Sequence, residues 1–287
     1  MPRGLQLGRG RRHDCRDLRA ASRQRRADIV RSRAAGRPGL PFPRGAASAV
    51  SRVLAISPHL DDAVFSAGGT LAAHADAGDV VTVVTCFTGS VANPAGFALA
   101  CQLDKGLDKD ADYMALRRAE DVVACAAIGA RCVHLPLLEA PHRGYENAAA
   151  LFGALKASDD AIETVAEALR PVIARRRPDI IYGPCGVGGH VDHLAVREAL
   201  ARIAPGAVLW EDFPYAMREA AAPRGIERAC LSDEILERKT AAVLAYRSQI
   251  GFQFGSSEDA RRTLARWRYE GFAKPAVTAS FPSSHAW

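Results

Sequence analysis

The fold is decided by residues 52–87, RVLAISPHLDDAVFSAGGTLAAHADAGDVVTVVTCF. A short aliphatic run at 52–57 is followed by a longer segment of small apolar residues at 61–77, and then by a β-branched run at 80–87. Short β-branched runs are typical of buried strands, and a longer segment between two of them is typical of a helix. This stretch therefore predicts a βαβ unit with two parallel strands.

The same alternation continues along the chain. Helices are predicted at 111–128, 159–175, 192–203 and 232–247, and strands at 131–135, 179–184 and 207–212. Alternating strands and helices predict an α/β fold, here a Rossmann-like, doubly wound and mostly parallel sheet flanked by helices in a single domain. The stretches 88–110, 136–157 and 213–231 are too long for simple connections, so we expect them to shape a pocket.

The first 46 residues differ in composition from the rest. They contain thirteen Arg, no Lys and three Asp, a charge of +10, so the net charge of +6 leaves −4 for residues 47–287. We expect 1–46 to be a disordered extension and 47–287 to be the folded domain. Three explanations fit this composition: a misplaced start codon, a transit peptide or a nucleic-acid-binding arm. The absence of Lys favours the first. Because the domain is acidic and the tail lacks interleaved aromatics, we expect no nucleic-acid partner.

Other features of the sequence concern the compartment. The longest apolar runs, such as 80–87, are far shorter than the roughly 20 residues of a membrane-spanning helix, so no membrane span is expected. The N-terminus lacks the apolar core of a secretory signal peptide, and the seven cysteines form no C-x-x-C pair. We therefore expect a cytoplasmic protein with reduced cysteines.

Two polar clusters follow predicted strands. The residues are His59, Asp61 and Asp62 in the first cluster, and His190, Asp192 and His193 in the second. Because open α/β sheets bind ligands at the carboxyl ends of their strands, we expect the two clusters to face one site. Alone, an aspartate here could cap a helix and a histidine pair could be surface polar residues. Two adjacent carboxylates beside a histidine exceed what a cap requires.

The clusters contain the donor types of a catalytic zinc site, which uses about three protein ligands and one open position. The three ligands would be His59, Asp62 and His193. Asp61 would then accept the proton of the attacking water, and His190 would stabilise the oxyanion that develops on the carbonyl. Asp192 would orient one of the histidines.

These residues resemble the LmbE-like, or PIG-L, family of zinc-dependent de-N-acetylases over about 51–250. PHLDDA at 58–63 and GGTLA at 68–72 match the family's A/P-H-P-D-D-E and G-G-T-L-A motifs. RRAE at 117–120 matches R-x-x-E, and HVDH at 190–193 matches H-x-D-H. Leu60 and Ala63 replace the family's usual proline and glutamate, and neither change removes a proposed zinc ligand. The chemistry therefore transfers better than the identity of the substrate.

The resemblance implies Zn²⁺ as the cofactor, with the ligands, the base Asp61 and the stabiliser His190 assigned as above. It implies a hydrolase that removes an N-acetyl, or other N-acyl, group from an amino sugar or a sugar-containing conjugate. The partner would be a small N-acetylated molecule, and the oligomeric state stays open. The alternative on the same fold is a metal-dependent hydratase that adds water to an unsaturated carboxylic acid.

Two arginines are further candidates. We expect Arg117 and Arg143 to contact the substrate, because a guanidinium can bind hydroxyl, phosphate or carboxylate groups. The ordinary explanations are a surface pair of Arg117 with Glu120 on one helix, and a solvated loop arginine at 143. At the end of the strand 207–212, the acids at 211 and 212 could also line the site.

Overall fold

The structure is a computed structural model that describes residues 50–218 and 225–273. The interpretation of residues 1–46 as a disordered extension lies outside the described residues. Within the described ranges, a single mixed sheet of seven strands is flanked by helices. The predicted α/β fold is thereby confirmed.

The elements are numbered in chain order. The strands are β1 Arg52–Ser57, β2 Val80–Thr85, β3 Arg131–His134, β4 Ile180–Pro184, β5 Val208–Trp210, β6 Ile226–Cys230 and β7 Tyr269–Ala273. The helices are α1 Asp62–Asp76, α2 Gly96–Asp104, α3 Tyr113–Ala127, α4 Ala148–Leu151, α5 Ala161–Arg176, α6 Val191–Ile203, α7 Asp233–Val243, α8 Arg247–Phe254 and α9 Ser257–Arg266. Short 3-10 turns span Ala140–Arg143 and Tyr215–Met217.

The strand order is β3-β2-β1-β4-β5-β7-β6. The chain runs outward from β1 to β3, then returns to place β4 beside β1 in parallel register, with Leu54 opposite Ile181. The strand order therefore reverses between β1 and β4. In open α/β sheets, the crevice outside the carboxyl ends of the strands at such a reversal is where ligands bind.

The central strand β1 is buried on both of its faces. Val53 and Ala55 pack in a core with residues of α1, α3 and α7. The alternate residues Leu54 and Ile56 pack in a second core with residues of α5 and α6. A parallel strand covered on both faces reads as a continuous apolar run, which is why this segment was recognisable in the sequence.

The antiparallel edge of the sheet was not predicted. β6 lies inside the stretch 213–231, which was expected to shape a pocket, and β7 and α9 lie in the C-terminal segment, for which no strand or helix was predicted. The predicted helix 232–247 ends at Val243, and a separate helix α8 begins at Arg247. β6 and β7 are short and pair antiparallel with each other, and β7 also pairs antiparallel with β5. Such short segments carry weak periodic patterns, so their pairing is decided by tertiary contacts.

Two further observations bear on the compartment. Among the described residues, no helix has the length and apolar character needed to cross a membrane. Free thiols are found at Cys86, Cys101, Cys125, Cys132 and Cys185. Cys230, in contrast, takes part in a disulfide. The expectation that all cysteines are reduced is therefore wrong at this position.

Candidate active site

Both predicted polar clusters lie at the reversal point between β1 and β4. The first occupies the turn from β1 into α1, and the second begins α6, which follows β4. The six residues of the clusters are all buried: His59, Asp61, Asp62, His190, Asp192 and His193. The structure therefore brings together side chains that are separated by about 130 positions in the sequence.

Three of these side chains surround one point. The distance from His59 Nδ1 to Asp62 Oδ2 is 3.1 Å, and the distance from His193 Nε2 to the same oxygen is 3.2 Å. One ligand atom from each residue lies within 4.8 Å of the other two. His193 Nε2 is buried and makes no hydrogen bond within the described structure. Donors bound to one zinc ion lie roughly 3–4 Å apart, so this nitrogen and its neighbours fit a divalent metal.

Each imidazole of this set is held by a carboxylate on its other nitrogen. His59 Nε2 lies 2.8 Å from Asp192 Oδ2, and His193 Nδ1 lies 2.8 Å from Asp212 Oδ1. A carboxylate on one ring nitrogen fixes the tautomer and leaves the other nitrogen available to a metal. Asp192 therefore sits where an orienting residue was expected.

The sequence did not show which of the acids at 211 and 212 reaches the site, and the structure places Asp212 there. Of the two acids at the end of β5, Asp212 bonds His193, whereas Glu211 pairs with Arg228 at 2.9 Å. Their order in the sequence gave no means of separating them. The alternation of side chains around the strand end sends neighbouring acids to different partners.

Arg143, for which a substrate contact is expected, forms ion pairs with two carboxylates. Its Nη2 donates to Asp192 Oδ1 at 2.7 Å, and its Nε and Nη2 donate to the two oxygens of Asp159 at 3.1 Å each. The side chain is absent from the lining of the pocket in the described structure. The guanidinium is committed to two buried carboxylates, so the structure gives no support to the expected substrate contact.

Arg143→Met should lower the free energy of unfolding by about 3–5 kcal/mol, the usual cost of removing one partner from a buried charge pair. The loss would leave Asp159 and Asp192 buried without their cation. Urea unfolding measures the change. The matched control is Arg52→Met, which breaks the exposed pair with Asp179 and should change stability little. Equal losses in the two variants would show that the Arg143 network is not specially stabilising.

Asp61 has an unusual backbone conformation beside the metal-fitting residues. Its φ is 151°, which L residues rarely adopt, and its side chain forms no cap bond to α1 although it stands at the N-cap. Such strained positions cluster at functional sites. Burial raises the pKa of the Asp61 carboxyl to about 7, although nearby Arg117 lowers it. A carboxyl that titrates near neutrality suits a general base.

Arg117 is buried and lies beside Asp61. Its Nη2 lies 3.6 Å from Asp61 Oδ1, and its Nη1 lies 2.5 Å from Glu139 Oε1. Glu120 instead accepts from the backbone N–H and hydroxyl of Ser248. The explanation of Arg117 and Glu120 as a surface pair is therefore wrong. Glu139 was missed as a site residue, because it lies five residues beyond the end of β3 and belongs to none of the motifs.

His190 is the N-cap of α6, and its Nδ1 accepts a hydrogen bond from the backbone N–H of Asp192 at 3.2 Å. Burial lowers the pKa of His190 to about 3, so the ring is neutral near pH 7. Because Nδ1 is an acceptor, the single ring proton is on Nε2. The side chain can therefore donate one hydrogen bond from Nε2.

A cavity of about 270 Å³ opens above these groups. Its polar floor includes His59, Asp61, Asp62, Arg117 and His190. Its walls carry apolar and aromatic groups, among them Val91, Phe97, Phe152, Tyr215 and Phe252. α2, α4 and α8 contribute to these walls. Of these helices, α2 and α4 lie in the stretches 88–110 and 136–157, which were expected to shape a pocket.

Comparisons with known proteins identify the family. Residues 54–204 match the model of the family described as PIG-L: GlcNAc-PI de-N-acetylase. The chain is 34% identical over 171 residues to the 2'-N-acetylparomamine deacetylase of Streptomyces fradiae, with 58% of each chain covered. It is 31% identical over 160 residues to the 1D-myo-inositol 2-acetamido-2-deoxy-alpha-D-glucopyranoside deacetylase of Corynebacterium glutamicum strain R, covering 52% of this chain and 51% of that one. The chain thus spans about half the length of the curated relatives it matches.

Solved structures are similar over a larger part of the chain. A deacetylase of teicoplanin biosynthesis shares 29% identity with a TM-score of 0.69, covering 79% of this chain and 100% of that one. The A40926 pseudoaglycone deacetylase shares 29% identity with a TM-score of 0.67, covering 80% and 99%. A zinc-inhibited form of teicoplanin deacetylase shares 27% identity with a TM-score of 0.66, covering 79% and 100%.

Proposed function

Because this chain belongs to the PIG-L family of de-N-acetylases, we propose that it is a zinc-dependent hydrolase that removes an N-acetyl, or other N-acyl, group from an amino sugar or a sugar-containing conjugate. The observation that carries this proposal is the convergence of His59, Asp62 and His193 on one point beside the strained base Asp61. Deacetylation by the similar proteins of known structure and by the curated relatives supports it.

His59 Nδ1, Asp62 and His193 Nε2 would hold the metal. The donor set contains two imidazoles and one carboxylate, which suits zinc, and the buried His193 Nε2 has no other bonding partner among the described residues. Bound zinc supplies a positive charge that polarises the substrate carbonyl and acidifies water. Asp192 and Asp212 act as positioning residues, because each fixes one imidazole by its other nitrogen.

Asp61 acts as the general base. Its carboxylate takes a proton from water as the water oxygen bonds to the amide carbonyl carbon. Arg117, 3.6 Å away, favours the ionised form of Asp61 and limits the rise in its pKa that burial causes. The protonated Asp61 then returns the proton to the leaving nitrogen as the C–N bond breaks. The products are a free amine and acetate.

His190 stabilises the charge that develops on the carbonyl oxygen. Its ring is neutral, and its Nε2–H is the only donor of the side chain, since Nδ1 is occupied by the N–H of Asp192. A hydrogen bond that strengthens as the oxyanion forms lowers the barrier without tightening the binding of the substrate. Arg117 is also placed to contact substrate, since it lines the cavity.

The proposal is tested by an amine-release screen. Candidate substrates are N-acetylglucosamine linked to inositol, N-acetylparomamine and an N-acylated glycopeptide, each assayed for free amine and for acetate. The control is the same protein stripped of metal. Release of amine and acetate in equal amounts, restored by zinc, supports the deacetylase. A protein that instead hydrates an unsaturated carboxylic acid and releases no amine is the hydratase alternative.

Asp212→Asn should weaken metal binding about 10–100-fold, the usual effect of altering the outer partner of a metal-binding histidine. Chelator competition measures the dissociation constant. Glu211→Gln is the matched control, because this neighbouring buried acid pairs with Arg228 and contacts neither histidine. Similar losses of metal affinity in both variants would contradict the role of Asp212.

A further inference from the structure

A second group of metal-binding side chains lies outside the active-site cavity. One ligand atom from each of Asp121, Cys132 and His134 lies within 4.8 Å of the other two. Cys125 adjoins the group, with its Sγ 3.8 Å from Asp121 Oδ2. None of these four residues lines the described cavity.

The four side chains come from two adjacent elements. Asp121 and Cys125 are one turn apart on α3, so they project from the same side of the helix. Cys132 and His134 are two apart on β3, so they project from the same face of the sheet. The tight turn between α3 and β3 therefore places two donors from each element opposite one another.

The contacts among the four side chains fit those of metal ligands. His134 Nε2 lies 2.8 Å from Asp121 Oδ2, the same oxygen that Cys125 faces. The other carboxylate oxygen, Asp121 Oδ1, accepts from the hydroxyl of Tyr246 at 2.7 Å. Tyr246 thus fixes the carboxylate with Oδ2 towards the sulfurs and the imidazole.

The charge of Asp121 gives a second argument. Asp121 is 1% exposed, yet its hydrogen-bond partners in the described structure are Tyr246, His134 and Cys125, none of which is a permanent cation. Two other buried acids have one: Glu270 pairs with Lys239, and Glu211 pairs with Arg228. A buried carboxylate is costly without a compensating charge. A bound cation would supply it.

We propose that Asp121, Cys125, Cys132 and His134 form a second metal site, for zinc or a similar borderline divalent ion, that joins α3 to β3. Four protein ligands close the coordination sphere, as in structural rather than catalytic zinc sites. On binding, the two thiols release their protons and the metal replaces the hydrogen bonds between the donors. Cys132 and His134 are only partly buried, so the ion can enter from solvent.

Cobalt titration of the anaerobically purified full chain tests the proposal. Thiolate bound to Co²⁺ gives a near-ultraviolet charge-transfer absorption, which the sulfur-free set of His59, Asp62 and His193 cannot give. We expect this absorption to saturate with about one equivalent, and total cobalt to approach about two per chain with both sites filled.

Cys132→Ser should abolish the absorption and remove about one cobalt per chain, while the sulfur-free site stays loaded. His134→Ala, which keeps both thiols, should weaken the cobalt affinity of the thiolate site at least tenfold. The matched control is Cys185→Ser, a partly buried free thiol outside the group, which should keep the full absorption. Cobalt loading without the absorption, its persistence in Cys132→Ser, or a Cys125–Cys132 disulfide in the purified protein would overturn the proposal.

Discussion

Asp61→Asn should lower turnover about 10²–10⁴-fold, the usual worth of a general base, while the zinc content stays at the wild-type value. The substitution keeps the shape of the side chain and removes its basicity. Asparagine is nearly isosteric with aspartate, so the backbone at a φ of 151° should be preserved. Turnover on the deacetylation substrate and metal content of the same preparation are the two measurements.

The control for Asp61→Asn is His190→Ala, which should also keep metal, since His190 acts on the oxyanion and lies outside the proposed ligand set. The two variants differ in one respect. The His190→Ala enzyme retains its base, so its turnover should still rise as Asp61 ionises, whereas Asp61→Asn should lose that dependence on pH. Full activity in Asp61→Asn would show that another group accepts the proton.

Asp62→Ala should lose the metal of the candidate active site, with a fall in affinity larger than the about 100-fold limit expected for an outer partner such as Asp212. Asp62 Oδ2 lies within 3.2 Å of both proposed histidine ligands and also accepts from the backbone N–H of His59 at 2.8 Å. Its removal deletes the anionic ligand and loosens the turn that presents His59. Metal content should fall by about one ion per chain relative to wild type, activity should be low, and activity should partly recover when zinc is added.

Zinc should be added stepwise in this rescue, because a zinc-inhibited form is described for the related teicoplanin deacetylase. Wild type titrated in parallel separates rescue from inhibition. Metal lost from Asp61→Asn but kept by Asp62→Ala would mean that the roles of the two adjacent carboxylates are exchanged.

Much of the fold was predictable because its parallel strands are buried on both faces. Runs such as 52–57 and 80–87 are continuously apolar, so each can be identified as a buried strand without knowledge of the strands beside it. The antiparallel strands β6 and β7 lack that signal. Their residues form strands because β5 and β7 offer unpaired backbone groups at the edge of the sheet, and that edge exists only in the folded protein.

For the candidate site, the sequence by itself determined which polar residues follow β1 and β4. A motif fixes the order of side chains along a turn, and a strand followed by a helix fixes the edge of the sheet at which that turn lies. The placement of His59, Asp62 and His193 around one point agrees with that expectation.

Only the tertiary structure decided the partners that support these residues. Asp212 rather than Glu211 bonds His193, and Arg143 joins Asp159 to Asp192 instead of facing the cavity. These choices depend on distances between segments that are far apart in the chain, and a change of one residue in strand register would reverse which side chain faces which partner. Local sequence therefore determined which reactive side chains lie at the sheet edge. The long-range packing of β5 and of the 3-10 turn Ala140–Arg143 determined which partners bond those side chains.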